Sequence, residues 1–369
     1  MKRTLKSLAL VAVIFATLFA SCEDEINGYE SGRGDGSSGT QTDPPGGTGT
    51  DTTIVVPPPE DPDPPVTDPN DVTNFTCLKT FMGHSDGVVS VSWNANGNSV
   101  ASGSEDKTIK IWNVNTGQCL KTLTGHSQDV KSVSWNQNGN QVASCAREGT
   151  VFVWDANTGQ KIKSYVLSVP TWVPYSVAWS PDGSRVVIAT SNGHSEIWSI
   201  TSVTNFINLE SHSSKVWSVD WSPSGNQIVS SSSDKTIKIW NASSGSCIRT
   251  LFGHSETVYS VAWSPNGSYI VSGSGDKNVK IWNANNGSCT QTFAGHSREV
   301  LSVSWSPNGK YIASGSADRS IIIWDANSGE KLKTLYGHSY GVNSVGWSSD
   351  SKYLVSGSDD NTVKIWGVE

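Results

Sequence analysis

Residues 295–336 read GHSREVLSVSWSPNGKYIASGSADRSIIIWDANSGEKLKTLY, and this stretch decides the fold. Val300 to Trp305, Tyr311 to Ser316, Ser320 to Trp324 and Lys331 to Leu335 are four short runs rich in Val, Ile, Ser, Thr and Trp. Pro307-Asn308-Gly309, the residues around Asp318, and Asn327-Ser328-Gly329 separate them. Runs of this composition between Asn-Gly and Ser-Gly punctuation are strands joined by tight turns, and no 3.6-residue period competes. One four-stranded unit cannot bury both of its faces, but several stacked side by side can.

Working outward, the unit recurs for seven turns. Its closing tryptophan returns as Trp112, Trp154, Trp198, Trp240, Trp282, Trp324 and Trp366, at steps of 42 except for one of 44 after Trp154. A second series, Trp93, Trp135, Trp179, Trp221, Trp263, Trp305 and Trp347, runs 19 residues ahead of the first. Self-similarity at this period marks a repeat architecture, with the indoles packed between neighbouring units.

The Gly-His pairs at 83/84, 125/126, 253/254, 295/296 and 337/338, with Ile-Trp-Asn or Val-Trp-Asp at the far end, resemble WD repeats over residues 74–369. The resemblance implies an all-β, seven-bladed β-propeller, four antiparallel strands per blade, with strand a on the central channel and strand d outermost. The chain stops at Trp366-Gly367-Val368-Glu369, after a third strand, while residues 75–81 match the fourth strand Cys119-Leu120-Lys121-Thr122-Leu123. A strand at about 75–81 is therefore expected to complete the last blade and leave no missing strand.

His84, His126, His212, His254, His296 and His338 recur with Asp106, Asp234, Asp276, Asp318 and Asp360, each acid six residues before its tryptophan. With the serines of the second strand they could suggest a hydrolytic triad. A nucleophile site occurs once, however, whereas this set returns in blade after blade. The resemblance implies instead a buried Ser/His/Asp/Trp hydrogen-bond network that includes Trp112, Trp154, Trp240, Trp282, Trp324 and Trp366. No catalytic residue, cofactor or metal is expected: the irregular His194 has only Glu196 near it at ligand spacing. Cys77, Cys119, Cys247 and Cys289 occupy equivalent positions on separate blades, beyond the roughly 7 Å reach of a disulfide, and are expected as free, half-buried thiols.

The first 73 residues are a different polymer. Met1-Lys2-Arg3 precedes an apolar run, Leu8 to Ala20, too short for an ordinary membrane span, so residues 1–21 read as a signal peptide. Leu18-Phe19-Ala20-Ser21-Cys22 resembles a bacterial lipoprotein cleavage site, with Phe19 in place of the commoner Leu, which makes Cys22 the expected lipidation residue. The competing reading is a plain secretory signal with Cys22 incidental. The resemblance places the protein in the cell envelope as an outer-membrane lipoprotein, and Cys22-Glu23-Asp24-Glu25 is similar to an acidic surface-export stretch. Residues 22–73, nearly devoid of apolar side chains, read as a disordered Gly/Ser/Asp/Pro-rich tether. The tether holds twelve acids and one arginine, against 21 acids and 22 bases in the propeller, so the net charge of −7 belongs to the tail. With no basic stripe, nucleic acid is not an expected partner.

Function is sought where the repeat breaks. Val169-Pro170 and Asn192 replace Gly-His and Asp in the third unit, Glu148 replaces Asp in the second, and Ser211 precedes His212 in the fourth. This clustering is either drift or a modified surface. One position at the start of strand a varies as Val89, Lys131, Tyr175, Trp217, Tyr259, Leu301 and Asn343. Trp172, Tyr175, Trp217 and Tyr259, flanked by Arg147 and Arg298, are the expected ligand patch, because clustered exposed aromatics anchor binding surfaces. The alternative is that these aromatics simply pack between blades. The expected function is a non-catalytic scaffold, monomeric, that takes a protein or peptide on its top face. A surface glycan-binding lipoprotein using the same aromatics is the other reading.

Overall fold

The computed structural model describes residues 71–167, 169, 171–202, 206–209 and 212–369. The signal segment, Cys22, the tether up to residue 70, Pro170 and Ser211 lie outside the described residues. Within them, seven antiparallel sheets of four strands form the blades of a β-propeller. Blade 1 shows the pattern, with strands a to d at Val88–Trp93, Ser99–Ser104, Ile109–Asn113 and Cys119–Leu123. Strand b is buried along nearly its whole length, whereas strand d is mostly exposed. Small residues fill strand b because the next blade presses into it. A side chain on Gly103 would sit 2.7 Å from Val130 of blade 2.

The ring closes as the repeat implies. Thr76–Met82, one residue later than expected, pairs antiparallel with Thr362–Gly367 as the outer strand of blade 7. Phe81 ties that blade to blade 1, and Phe75, just before the strand, meets a ring within blade 7. Phe81 stacks on Trp112 of blade 1 with ring centroids 5.4 Å apart, and Phe75 lies 5.9 Å from Trp347. A short 3-10 turn, Val72–Asn74, precedes the strand, capped where Asp71 accepts the Thr73 N–H at 2.9 Å. Val72 and Phe75 are both buried against Leu335 and Trp347, so the folded part reaches back to Asp71.

A belt of serines joins the inner strands. The hydroxyl oxygens of Ser90, Ser132, Ser176, Ser218, Ser260, Ser302 and Ser344 accept the backbone N–H of Val133, Val177, Val219, Val261, Val303, Val345 and Val91. Each bond crosses to the next blade, and the last one, 3.1 Å from Val91 to Ser344, spans the closure between blades 7 and 1. Two residues further along, Ser92 accepts the Trp135 N–H in the same manner at 3.1 Å. Ala178 has no hydroxyl to offer blade 4. There Asp220 accepts both its neighbour Trp221 at 2.9 Å and Trp263 of blade 5 at 2.8 Å. Burial at the channel wall pushes the Asp220 carboxyl up to about 6, although those two N–H donors oppose the shift.

Candidate functional site

Six blades contain a Ser–His–acid chain ending on tryptophan. In blade 6, His296 Nδ1 lies 2.9 Å from Asp318 Oδ2, its Nε2 lies 2.8 Å from Ser314 Oγ, and Trp324 Nε1 donates to that oxygen at 2.8 Å. One proton arrangement satisfies every member. The carboxylate accepts Nδ1–H, Nε2 accepts the serine hydroxyl, and the hydroxyl oxygen accepts the indole N–H. This is the connectivity of a hydrolytic triad, but it is sealed. Ser314 is fully buried, and the His296 side chain is 0% exposed. Burial pushes the pKa of His84, His126 and His296 below the ordinary value. Burial would raise Asp276 and Asp318 too, yet hydrogen bonds from the histidine partner, serine and backbone groups hold both at about 2.

The clustered sequence degeneracy divides physically. In blade 2, Glu148 simply takes the aspartate's place, 2.5 Å from His126 Nδ1, and His126 keeps Ser144 at 2.8 Å. His212 in blade 4 retains Asp234 and Ser230, each at 2.8 Å. Only blade 3 is rebuilt. Ile188 stands where the serine belongs, and Trp198 Nε1 donates instead to the fully buried Glu196 at 2.8 Å. Gly193 lets this blade approach the next: at φ +93°, any Cβ there would stand 2.3 Å from the His212 carbonyl oxygen.

The channel mouth beside these loops is where a ligand could enter. In every blade the pairing of strands a and b slips by one residue, and the residue left over is Val89, Lys131, Tyr175, Trp217, Tyr259, Leu301 or Asn343. Such a bulge frees a side chain from the pleat and re-aims it. All seven side chains line one cavity of about 450 Å³. Tyr175 and Trp217 have ring centroids 4.6 Å apart, and Trp217 and Tyr259 5.4 Å. Trp217 is fixed by its Nε1–H, which donates to Ser233 at 2.7 Å. Across the mouth, Lys131 pairs with Glu105 at 3.1 Å and Asp129 at 3.2 Å, while Asn343 donates to Asp359 at 2.5 Å. The cavity is therefore aromatic on blades 3 to 5 and polar on blades 7, 1 and 2. All three rings are half-buried, so packing between blades and lining the mouth are not exclusive.

Three of the expected patch residues lie elsewhere. Trp172 stacks on His194, centroids 5.1 Å apart and planes 7° from parallel, and packs against the core shared by blades 2 and 3. Its extra loop length carries it away from the mouth and onto the blade. Arg147 is exposed and turned to Asp129 at 3.7 Å; Arg298 is exposed and lies 3.7 Å from Glu299. Neither lines the cavity. Sequence reasoning missed Glu105 and Asp359, which do. A signal was available: both precede the turn aspartate, in the register of Arg147 and Ser233, and they are acidic on adjacent blades. Four of the cysteines, Cys77, Cys119, Cys247 and Cys289, are free and exposed rather than half-buried, because strand d faces solvent; Cys145 is buried. Among the described residues no cluster of His, Cys, Asp and Glu is arranged to hold a metal ion.

Comparison with known proteins agrees with this architecture. Residues 70–241 match the family model of the IFT122 first beta-propeller. Residues 216–369 match that of the echinoderm microtubule-associated protein second beta-propeller. Protein HIRA of Zea mays is 44% identical over 50 residues, 14% of this chain and 5% of that protein. Vegetative incompatibility protein HET-E-1 of Podospora anserina is 54% identical over 41 residues, 11% of this chain and 3% of that protein. The chain thus spans a small fraction of these relatives' length, and each match is about one repeat long. Together with the seven blades, the matches support a WD-repeat propeller.

Proposed function

We propose that the propeller is a non-catalytic binding module that captures a protein or peptide segment at the channel mouth of blades 3 to 5. The observation that carries this is the row Tyr175–Trp217–Tyr259, with Trp217 touching the ring on either side, along one side of a cavity lined by every bulge residue. Rigid aromatics offer large contact area at little entropic cost, and polar groups opposite fix orientation. The sealed serines are consistent with a non-enzymatic role. A peptide display selection against the full chain tests the reading. Enriched peptides should lose binding to Trp217→Ala and Tyr259→Ala while both variants keep the wild-type melt.

Glycan recognition at the same aromatics is less favoured, since the carboxylates of Glu105 and Asp359 are already engaged, by Lys131 and by the Asn343 amide. For display we propose lipid attachment at Cys22, with residues 22–73 as tether, on the outer membrane of a bacterial envelope. Metabolic labelling with a clickable fatty acid should mark the wild type and leave Cys22→Ser unlabelled. Labelling of both would contradict it.

A further inference from the structure

The other end of the channel differs in chemistry from the mouth already described. There the turn between strands a and b carries Pro181, Pro223, Pro265 and Pro307 in blades 3 to 6. Three of these prolines reach the next blade's turn glycine: a Cβ on Gly225, Gly267 or Gly309 would lie 3.6–3.7 Å from the ring of Pro181, Pro223 or Pro265. The prolines thereby seal each seam. Blades 7, 1 and 2 have Ser349, Ala95 and Gln137 at that position. Polar side chains replace the prolines at two of these seams, where a Cβ on Gly97 would lie 3.8 Å from Ser349 and one on Gly139 2.4 Å from Asn94, and the third seam is open. A side chain on Gly183, next after Gln137, would touch nothing within 4 Å.

A cavity of about 290 Å³ opens in this sector, lined by Trp93, Trp135 and Trp347 with Asn94, Asn136 and Gln137. It runs into a groove of about 390 Å³ between blades 1 and 2, which shares Asn94 and Trp135 with it. Two of the three indoles here, Trp135 and Trp347, lack a hydrogen bond that Trp93 and others of the series make. Trp93, Trp179 and Trp221 donate Nε1–H to a carbonyl of the preceding blade at 2.9–3.2 Å. Trp135 and Trp347, at the cavity, have buried Nε1–H groups with no protein acceptor; Trp263, away from it, is the third such case. Asn94 spends one amide hydrogen on the Gly139 carbonyl at 3.0 Å, and Asn136 spends one on Asn140 at 2.8 Å. Each keeps a second hydrogen, and each is held in a fixed orientation by these bonds.

No charged side chain lines the inner cavity, and its polar groups both donate and accept. An ion would gain nothing there. A ligand with alternating C–H faces and hydroxyls would match the indole and carboxamide walls together. We propose that this mouth, between blades 7, 1 and 2, is a second binding site, for a neutral sugar unit of a glycan chain that continues along the groove.

The missing prolines supply the test. The backbone N–H groups of Ala95 and Gln137 make no bond within the turn, so proline fits position i+1 there without loss. Ala95→Pro/Gln137→Pro should give blades 1 and 2 the turn of blades 3 to 6, put proline rings in the cavity wall in place of the Ala95 methyl and the Gln137 carboxamide, and leave the melt unchanged. Full-length protein is titrated with neutral hexasaccharides of glucose, mannose, galactose and xylose, read by calorimetry. At least one should bind the wild type, bind the proline variant at least tenfold more weakly, and bind Trp217→Ala unchanged. The proposal is overturned if none of the four binds, if the proline variant binds as well as the wild type, or if Trp217→Ala alone abolishes binding. It is equally overturned if the proline variant instead loses the peptides selected on the wild type.

Discussion

Replacing Ser314 by alanine removes one oxygen and unsettles two buried partners. That oxygen accepts the Trp324 indole N–H at 2.8 Å and lies 2.8 Å from His296 Nε2. Neither partner can turn to water, since Trp324 is 2% exposed and His296 7%. An unsatisfied buried polar group costs about 1–3 kcal/mol, so two give about 2–6 kcal/mol, and local relaxation favours the lower half. In a folded unit of this size about 3 kcal/mol corresponds to a fall in Tm of roughly 5 °C. Urea unfolding followed by tryptophan fluorescence measures this directly, with the m-value expected to stay constant. Trp324→Phe removes the donor rather than the acceptor. The double variant should therefore be less destabilised than the sum of the singles, with a coupling of about 1 kcal/mol. Strict additivity, or a cost for Ser314→Ala below about 0.5 kcal/mol, would refute the view that these chains are structural joints.

Other outcomes follow from the same structure. Phe81→Ala, which empties the contact with Trp112 at the ring closure, should cost about 3–5 kcal/mol in urea unfolding. Acid should destabilise the propeller. His84, His126 and His296 have lowered folded-state pKa values, so their contribution is complete above the unfolded value near 6.5 and is lost as pH falls below it. Asp276 and Asp318, held at about 2, add a second loss as pH falls from about 4 toward 2. Asp220 works in the opposite sense. Its carboxyl, raised to about 6, costs stability as pH rises between about 4 and 6. Asp220→Ser should therefore show a steeper gain of stability with rising pH across that window; an unchanged slope would remove this role for Asp220.

The fold was legible because the repeat states it seven times over. The run Val300 to Trp305 is the strand, residue for residue, and the closing strand falls one residue from its expected place. The network residues were legible for the same reason, since their spacing to tryptophan is fixed by the pairing of strands b and c. What the sequence hides is direction. The aromatic side chains Tyr175 and Trp172 are three residues apart, yet one is a bulge residue facing the channel and the other lies on His194. Nothing in the composition of that loop separates the two cases. Glu196 was visible only as a carboxylate near His194. Its partnership with Trp198 depends on Ile188, directly opposite Glu196 on the neighbouring strand, a substitution that reads as drift until the sheet is assembled. Glu105 and Asp359 belong to turns, and a turn's position around the ring becomes meaningful only once the ring is closed.

The central claim is that the three contacting rings at the channel mouth are a binding surface. Its most direct measurement is the affinity of a display-selected peptide, by calorimetry, for full-length wild type, Trp217→Ala and Ala95→Pro/Gln137→Pro at matched melting temperature. The account predicts at least tenfold weaker binding to Trp217→Ala and wild-type affinity for the proline variant. Equal affinity for wild type and Trp217→Ala would contradict it.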